Sequence, residues 1–173
     1  MSRNVIRRAA ALYQNIPFPE GQAVGIVVGM VLDRVHPAPL PGPRGLRRAV
    51  GLVSLAAGCA LNVWALVERR RQTTGEFQLE QPESLVTTGP YAMCRHPMYV
   101  ACWLIHLGVG VMRGSAWVAA TLPAAALVEH FGVLAEERAL DREFGAEFAE
   151  YRGRVPRYLA WWWRRTSAAR STS

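Results

Sequence analysis

A long apolar run at residues 49–67 constrains the fold of this chain more than any other feature. The run contains one amide, Asn62, and no charged residue, and it ends abruptly at Glu68-Arg69. About 20 apolar residues are needed for a helix to cross the hydrocarbon core of a bilayer. A segment in lipid must also satisfy its backbone hydrogen bonds internally. The run therefore predicts a membrane-spanning α-helix.

Three further apolar segments predict a bundle of such helices. Residues 21–35 are apolar but short, and they would cross a bilayer only if residues 16–18 were added. Residues 97–112 and 116–135 are separated by the tight reversal Arg113-Gly114-Ser115, so they predict an antiparallel hairpin. The predicted fold class is all-α, an integral membrane helical bundle. We expect about four transmembrane helices and a C-terminal amphipathic cytoplasmic helix.

The same segments predict one domain over residues 1–173. Residues 1–71 form the N-terminal spans, 72–96 a cytoplasmic connector, 97–135 the hairpin and 136–173 a cytoplasmic amphipathic tail. Pro123 is expected to kink the fourth span. The tail's Trp161-Trp162-Trp163 cluster is expected at the membrane interface, with packing inside the protein as the alternative.

The charge of the chain is distributed like a topology signal. All 20 basic residues are arginine, and the net charge is +7. If both termini are cytoplasmic, fifteen arginines lie inside and five outside, which the positive-inside rule favours. No nucleic-acid motif accompanies the charge, so we expect no nucleic-acid partner. The four histidines and three cysteines show no metal-ligand spacing, so no metal site is expected either.

A polar, turn-rich stretch at residues 89–99 opens directly onto the third apolar segment. It places Arg95 and His96 just before Pro97, a residue suited to the first turn of a helix. Ionisable residues at the mouth of a membrane helix are candidates for function. The alternative is that Arg95 only anchors the helix to lipid headgroups.

A second group of residues recurs at helical spacing after the fourth apolar segment. Glu136, Leu140, Phe144, Phe148 and Tyr151 align on one face, whereas the neighbouring Glu137 is expected to be exposed. A carboxylate on an apolar face needs a cationic or N–H partner. Two interpretations of Glu136 stay open, an ion pair with Arg95 or a contact with a ligand's ammonium group.

Two residues on the fourth segment leave similar alternatives. Glu129 lies two helical turns before Glu136 on the same face, and His130 is beside it. Each is expected either to line a cavity or to pack against another helix. His106, a lone histidine within the third apolar segment, is expected to pack or to form a hydrogen bond.

Two blocks of sequence resemble one known family. The first is Gly-x-Tyr-x-x-x-Arg-His-Pro-x-Tyr at residues 89–99, and the second runs from Glu136-Glu137 through Phe144-Gly145 to Val155-Pro156-Arg157. Both are similar to the signature of the isoprenylcysteine carboxyl methyltransferase family and its bacterial, phospholipid-methyltransferase-like relatives. The blocks occur in the family's order and spacing, over residues 83–158.

The resemblance implies a methyltransferase of the bacterial cytoplasmic membrane with its site facing the cytoplasm. It implies S-adenosyl-L-methionine as cofactor and in-line methyl transfer to a lipophilic acceptor, with membrane lipids as the other partner. The candidate catalytic residues are Arg95, His96 and Glu136. The cofactor-binding residues that it implies are Glu83, Ser84, Leu85, Val86, Tyr91, His96, Pro97, Met98, Tyr99 and Glu136.

Departures from the family pattern leave the acceptor open. Prenylcysteine-specific members carry an arginine four residues before the first glutamate, where this chain has Gly132, and Phe148 replaces a usual tyrosine. The acceptor is expected to be a lipophilic carboxylate, amine or thiol. Two alternative functions are a membrane reductase of the sterol-reductase type that uses NADPH, and a non-catalytic scaffold. The glutamate pair favours an ammonium-bearing cofactor over a phosphate-rich one, because phosphates bind arginines and helix N-termini.

Overall fold

Five α-helices and one short 3-10 helix form the computed structural model, which describes residues 20–73 and 84–159. They are α1 (Glu20–Val35), α2 (Arg44–Arg71), the 3-10 helix (Gly89–Ala92), α3 (Pro97–Arg113), α4 (Ala116–Phe144) and α5 (Ala146–Arg154). Within the described ranges no strand occurs, only an isolated bridge between Pro39 and Ser115. The predicted all-α fold class is confirmed. Glu83 and the Trp161-Trp162-Trp163 cluster lie outside the described residues.

Two helices are long and apolar enough to cross a membrane. Helices α2 and α4 have 28 and 29 residues, which at a rise of 1.5 Å per residue corresponds to about 42 Å. Only 17% and 22% of their most apolar stretches are buried inside the protein, as expected for helices that face lipid. Helix α3 is apolar but has only 17 residues, and α1 has 16. The predicted count of four crossings is therefore not confirmed.

Glycines allow α2 and α3 to pack backbone against backbone. A Cβ atom on Gly51 would lie 2.6 Å from the Met112 nitrogen, and one on Gly108 would lie 2.7 Å from the Leu55 nitrogen. Small residues of this kind are typical of helix pairs in membranes, where close van der Waals contact replaces the hydrophobic drive present in water. Helix α3 packs in turn against α4, and α4 against α1.

The turn between α3 and α4 confirms the predicted hairpin. Gly114 has a φ of +70°, a conformation that glycine adopts without strain. The Ser115 hydroxyl then caps α4 by accepting a hydrogen bond from the Val118 nitrogen at 3.3 Å. The ends of the hairpin away from this turn carry Arg95 and Glu136, so both sequence blocks lie at one end of the bundle.

The chain after residue 135 differs from the predicted division between span and tail. Helix α4 passes through Pro123 without interruption and continues to Phe144. It ends at Gly145, which has a φ of +50°, and α5 begins at the next residue. The predicted stripe is therefore divided between two helices, although Phe148 and Tyr151 still pack with Val155 in a small core.

Buried polar side chains tie α1 to the hairpin. Glu129 Oε2 accepts hydrogen bonds from Gln22 Nε2 at 2.8 Å and from Trp103 Nε1 at 2.9 Å. His106 bonds Gln22 Oε1 through Nδ1 and the Val118 carbonyl through Nε2 at 2.8 Å. Glu129 and His106 thus join helices, which is the packing interpretation of both residues.

The close contact between α2 and α3 predicts opposite effects for two alanine substitutions. Gly108→Ala should destabilise the protein by about 1–3 kcal/mol, because the new methyl group would meet the backbone of α2. Gly132→Ala should leave stability unchanged or raise it by up to about 1 kcal/mol. No atom lies within 4 Å of the added carbon there, and alanine favours the helix. Thermal unfolding in one detergent measures both, and equal midpoints would contradict the proposed packing.

Candidate active site

The Glu137 carboxylate lies at the centre of a cluster of cationic and N–H groups. Arg95 donates to Oε1 from Nε at 3.0 Å and from Nη2 at 2.8 Å. Arg157 donates to Oε1 from Nε at 3.0 Å and to Oε2 from Nη2 at 2.7 Å. His96 Nε2 lies 3.2 Å from Oε1. Only 5% of the Glu137 side chain is exposed, so these groups compensate a buried negative charge.

This cluster corrects two expectations. Arg95 pairs with Glu137 and not with Glu136, and Glu137 is buried and not exposed. Leu140 lies four residues after Glu136 but three after Glu137, so helical periodicity favours neither glutamate. Because the chain changes helix at Gly145, Phe148 lies on α5 and does not share a helical face with Glu136. The predicted alignment of Glu136 with Phe148 therefore does not apply.

Arg95 also joins the two sequence blocks. Its Nη1 donates to the carbonyl of Val155 at 2.6 Å and to that of Arg152 at 3.2 Å. Its backbone nitrogen donates to Pro156 at 2.9 Å. The Tyr151 hydroxyl, from the second block, donates to the Tyr91 carbonyl at 2.7 Å. Together these contacts hold α5 and the segment after it against the 3-10 helix and the start of α3.

A pocket of about 400 Å³, counted to its open mouth, lies beside the Glu137 cluster. Its walls come from the connector before α3, the ends of α2 and α4, and α5. The lining residues are Arg69, Leu85, Val86, Tyr91, Arg95, His96, Glu136, Leu140, Phe148 and Tyr151. The pocket therefore combines one carboxylate, two guanidinium groups and one imidazole with apolar and aromatic surface.

The predicted cofactor-binding residues divide into two groups. Leu85, Val86, Tyr91, His96 and Glu136 line the pocket. The others described do not: Ser84 donates to the Gln72 carbonyl at 3.1 Å, Pro97 and Met98 are buried, and Tyr99 contacts the His96 ring edge-on at 5.8 Å.

The sequence interpretation missed Arg69 and Arg157. Arg69 belongs to a run of three arginines, which was interpreted only as a topology signal. Arg157 ends the Val-Pro-Arg block, but without coordinates nothing indicated its partner. One signal could have indicated its partner. Each sequence block contains an arginine, and the second block also contains a pair of glutamates that could bind both.

Glu136 is the more accessible carboxylate of the pair. Its side chain is 41% exposed, and its Oε2 lies 3.6 Å from His96 Nδ1. Both oxygens of Glu137, in contrast, are bonded by groups of the protein. The imidazole of His96 thus lies between one saturated carboxylate and one that faces the pocket.

Burial shifts the pKa values of hydroxyl and thiol groups around the pocket. Burial raises the pKa of Tyr91 to about 12, and the positive charge of Arg69 opposes the shift. The Tyr91 hydroxyl has no partner at hydrogen-bonding geometry within the described residues. Burial also raises the pKa of Cys94 to about 11, so this thiol stays protonated and unreactive at neutral pH.

Aromatic rings also contact His96. The Tyr158 ring lies 6.3 Å from that of His96 and 4.8 Å from that of Trp103. The Tyr158 hydroxyl bonds His130 Nδ1 at 3.0 Å. His130 therefore has a polar contact with Tyr158. In residues 20–73 and 84–159, no three His, Cys, Asp or Glu side chains form a metal-binding group.

The Glu137 cluster predicts that the two neighbouring glutamates differ in their effect on stability. Glu137→Gln should cost about 3–5 kcal/mol, because the buried Arg95 would lose its compensating charge. Glu136→Gln should change stability by less than about 1 kcal/mol, since its ion pair with His96 leaves the carboxylate half exposed. Thermal unfolding of both variants checks this, and a larger loss for Glu136→Gln would refute the assignment.

Two curated relatives are similar to part of this chain. The nickel-cobalt-cadmium resistance protein NccN of Alcaligenes xylosoxydans xylosoxydans is 36% identical over 112 residues, which cover 64% of this chain and 48% of the relative. The cobalt-zinc-cadmium resistance protein CzcN of Cupriavidus metallidurans is 46% identical over 77 residues, which cover 44% and 35%. This chain thus spans half or less of the length of these relatives. No solved structure matches it.

A family model matches more than half of the chain. The model is described as phospholipid methyltransferase, and it matches residues 46–147, from α2 to the start of α5. This family belongs to the isoprenylcysteine carboxyl methyltransferase-like group, which confirms the predicted family. The matched range includes the first sequence block and the second as far as residue 147. The apolar surface of α2 and α4 agrees with a protein embedded in a membrane. The chain is a membrane protein of the phospholipid methyltransferase family.

Proposed function

We propose that this protein transfers a methyl group from S-adenosyl-L-methionine to a lipophilic acceptor that enters from the bilayer. The observation that carries this proposal is the contrast between the two glutamates. Glu137 is saturated by Arg95, Arg157 and His96, whereas Glu136 faces a pocket with its carboxylate half exposed. A carboxylate in this position suits an ammonium group.

The other pocket residues fit the remaining parts of this cofactor. Arg69 lies in the same pocket as Glu136, so the pair offers a cation and an anion to the carboxylate and ammonium of the cofactor's amino-acid end. Tyr91 and Phe148 offer aromatic surface, and the buried Tyr91 hydroxyl lies beside Arg69. These residues would hold S-adenosylmethionine, whose sulfonium supplies an already activated methyl group.

The residues of the site would act mainly by orientation and by excluding water. Arg95 and Arg157 fix Glu137, which accepts from His96 and so sets the position of the imidazole at the pocket wall. Holding two reactants in line supplies much of the acceleration that such a transfer needs. A carboxylate acceptor needs no base, because it is ionised at neutral pH. An amine or thiol acceptor would have to lose a proton.

The acceptor would approach His96 from the side where the Tyr158 and Trp103 rings lie. The Tyr158 ring contacts the rings of His96 and Trp103. On α4, Val128 and Phe131 are 66% and 63% exposed, as suits a surface that meets lipid. Gly132 leaves open space at the position where prenylcysteine-specific relatives have an arginine. This supports an acceptor other than prenylcysteine. The names of the two relatives place them in metal resistance, and we propose that this methylation contributes to the same physiology.

A reductase is the second candidate, and the charges of the pocket disfavour it. NADPH carries several phosphate groups, which arginines and helix N-termini usually bind. Arg95 is one of two arginines in the pocket, but it is bonded to Glu137 and to two backbone carbonyls. Glu136 would repel phosphate. These observations support S-adenosylmethionine over a dinucleotide.

Calorimetry on the detergent-purified protein tests this function directly. S-adenosylhomocysteine should bind, and NADPH should not. Glu136→Gln should weaken the binding by about 1.5–3 kcal/mol, the contribution of a charge-assisted contact, with no loss of thermal stability. Binding of NADPH alone would support the reductase. Binding of neither ligand would support the scaffold, and unchanged affinity in Glu136→Gln would refute its role.

The orientation of the site can be tested with single cysteines in a background without Cys59, Cys94 and Cys102. Met93→Cys lies at the pocket end of the hairpin and Arg113→Cys at the turn end, and both native side chains are exposed. An impermeant thiol reagent applied to intact cells should label Arg113→Cys alone, because the positive-inside rule favours the orientation with the pocket in the cytoplasm. Labelling of Met93→Cys from outside would reverse the proposed orientation.

A further inference from the structure

One wall of the pocket is formed by the connector, which is irregular up to the 3-10 helix. Leu85 and Val86 line the pocket from an irregular part of the connector, and Tyr91 lines it from the 3-10 helix. Tyr151 holds the far end of this stretch through the Tyr91 carbonyl. The part of the connector before Tyr91 needs contacts of its own, because a loop without them would not keep a fixed position in the pocket wall.

Three side chains connect this part of the connector to the last turn of α2. Thr88 Oγ1 donates to Glu68 Oε1 and accepts from Gln72 Nε2 at 2.6 Å. The same Gln72 nitrogen lies 3.5 Å from Glu68 Oε1. Glu68, Gln72 and Thr88 therefore form a closed triangle, which we call the connector latch.

The surrounding backbone is arranged around this latch. The Gln72 carbonyl accepts from the Ser84 hydroxyl at 3.1 Å, and the Gln72 nitrogen ends α2 by donating to Arg69. Gly89 has a φ of +58°, and a Cβ atom there would lie 3.0 Å from the Glu68 carboxyl carbon. Glycine adopts this left-handed conformation without strain.

The latch also links the two walls that a ligand would contact. Arg69, which follows Glu68 directly in α2, also lines the pocket and interacts with Tyr91. A bond between Glu68 and Thr88 therefore fixes Arg69 and the connector relative to each other. None of the three latch residues lines the pocket, so their effect on a ligand must be indirect.

We propose that Glu68, Gln72 and Thr88 are positioning residues for the cofactor, which hold the connector wall at the distance from Arg69 that binding requires. The proposal rests on the proposed function, since it assumes that this pocket binds S-adenosylmethionine. It assigns a role in ligand affinity to side chains that never touch the ligand.

Thr88→Val removes the hydroxyl and keeps the shape of the side chain. Amides of residues 84–92 in the ligand-free protein should then exchange with deuterium about fivefold faster or more, while those of α3 and α4 keep their rates. The affinity for S-adenosylhomocysteine, measured by calorimetry, should fall about five- to tenfold. Thr88→Ser keeps the hydroxyl and should restore both values.

Thr87→Val is the matched control. Thr87 is the neighbouring threonine, and its hydroxyl makes no hydrogen bond within the described residues. Its loss should alter neither exchange nor affinity. Gln72→Met removes the bond between Gln72 and Thr88 from the other partner, and it replaces Thr88→Val as the test variant if the latter does not fold. Where both single variants fold, their losses of affinity in a double-mutant cycle should combine to clearly less than the product of the two.

The two measurements separate failure of the latch from failure of the proposed function. Wild-type protein that does not bind S-adenosylhomocysteine would refute the proposed cofactor, whatever the exchange data show. Unchanged exchange in Thr88→Val would refute the latch. Faster exchange with unchanged affinity would show a structural bond that has no positioning role, which overturns the proposal. Equal effects of the two threonine variants would overturn it as well.

Discussion

The buried carboxylate of Glu137 is the contact on which the arrangement of the site depends. It accepts from Arg95 before α3 and from Arg157 after α5, while it belongs to α4 itself. Three parts of the chain thus meet at one charge, and a buried charge is stable only when such partners stay in place. With Glu136 included, two carboxylates lie among two guanidinium groups, so the charges nearly cancel. Glu136 can therefore face the pocket without a bonded arginine.

Helix packing in the bundle uses contacts that remain effective in lipid. Apolar side chains gain little by leaving lipid for the protein interior, so close backbone contact and polar bonds carry more of the association. Gly51 and Gly108 allow close backbone contact between α2 and α3. The hydrogen bond from Gln22 to Glu129 is the polar contact between α1 and α4. Both kinds of contact lie away from the pocket, so the bundle acts as a rigid frame for it.

The sequence predicts the helices and the hairpin because these follow from local patterns. Apolar length marks α2 and α4, and the Arg113-Gly114-Ser115 reversal places the two blocks at one end. The identity of the buried glutamate could not be predicted, since adjacent residues on a helix differ by only 100° and both neighbour Leu140. The role of Arg157 was equally hidden, because its partner lies 20 residues away and across a helix break.

The backbone bonds from Arg95 to Pro156 and from His96 to Arg157 join residues that are 61 apart in the chain. These bonds belong to chain that follows the hairpin, so the hairpin and the closure of its pocket end depend on different parts of the sequence. Cleavage of the chain between α5 and Pro156 would leave α3 and α4 intact. It would nevertheless remove Arg157 from the Glu137 carboxylate and the backbone bonds from residues 95 and 96.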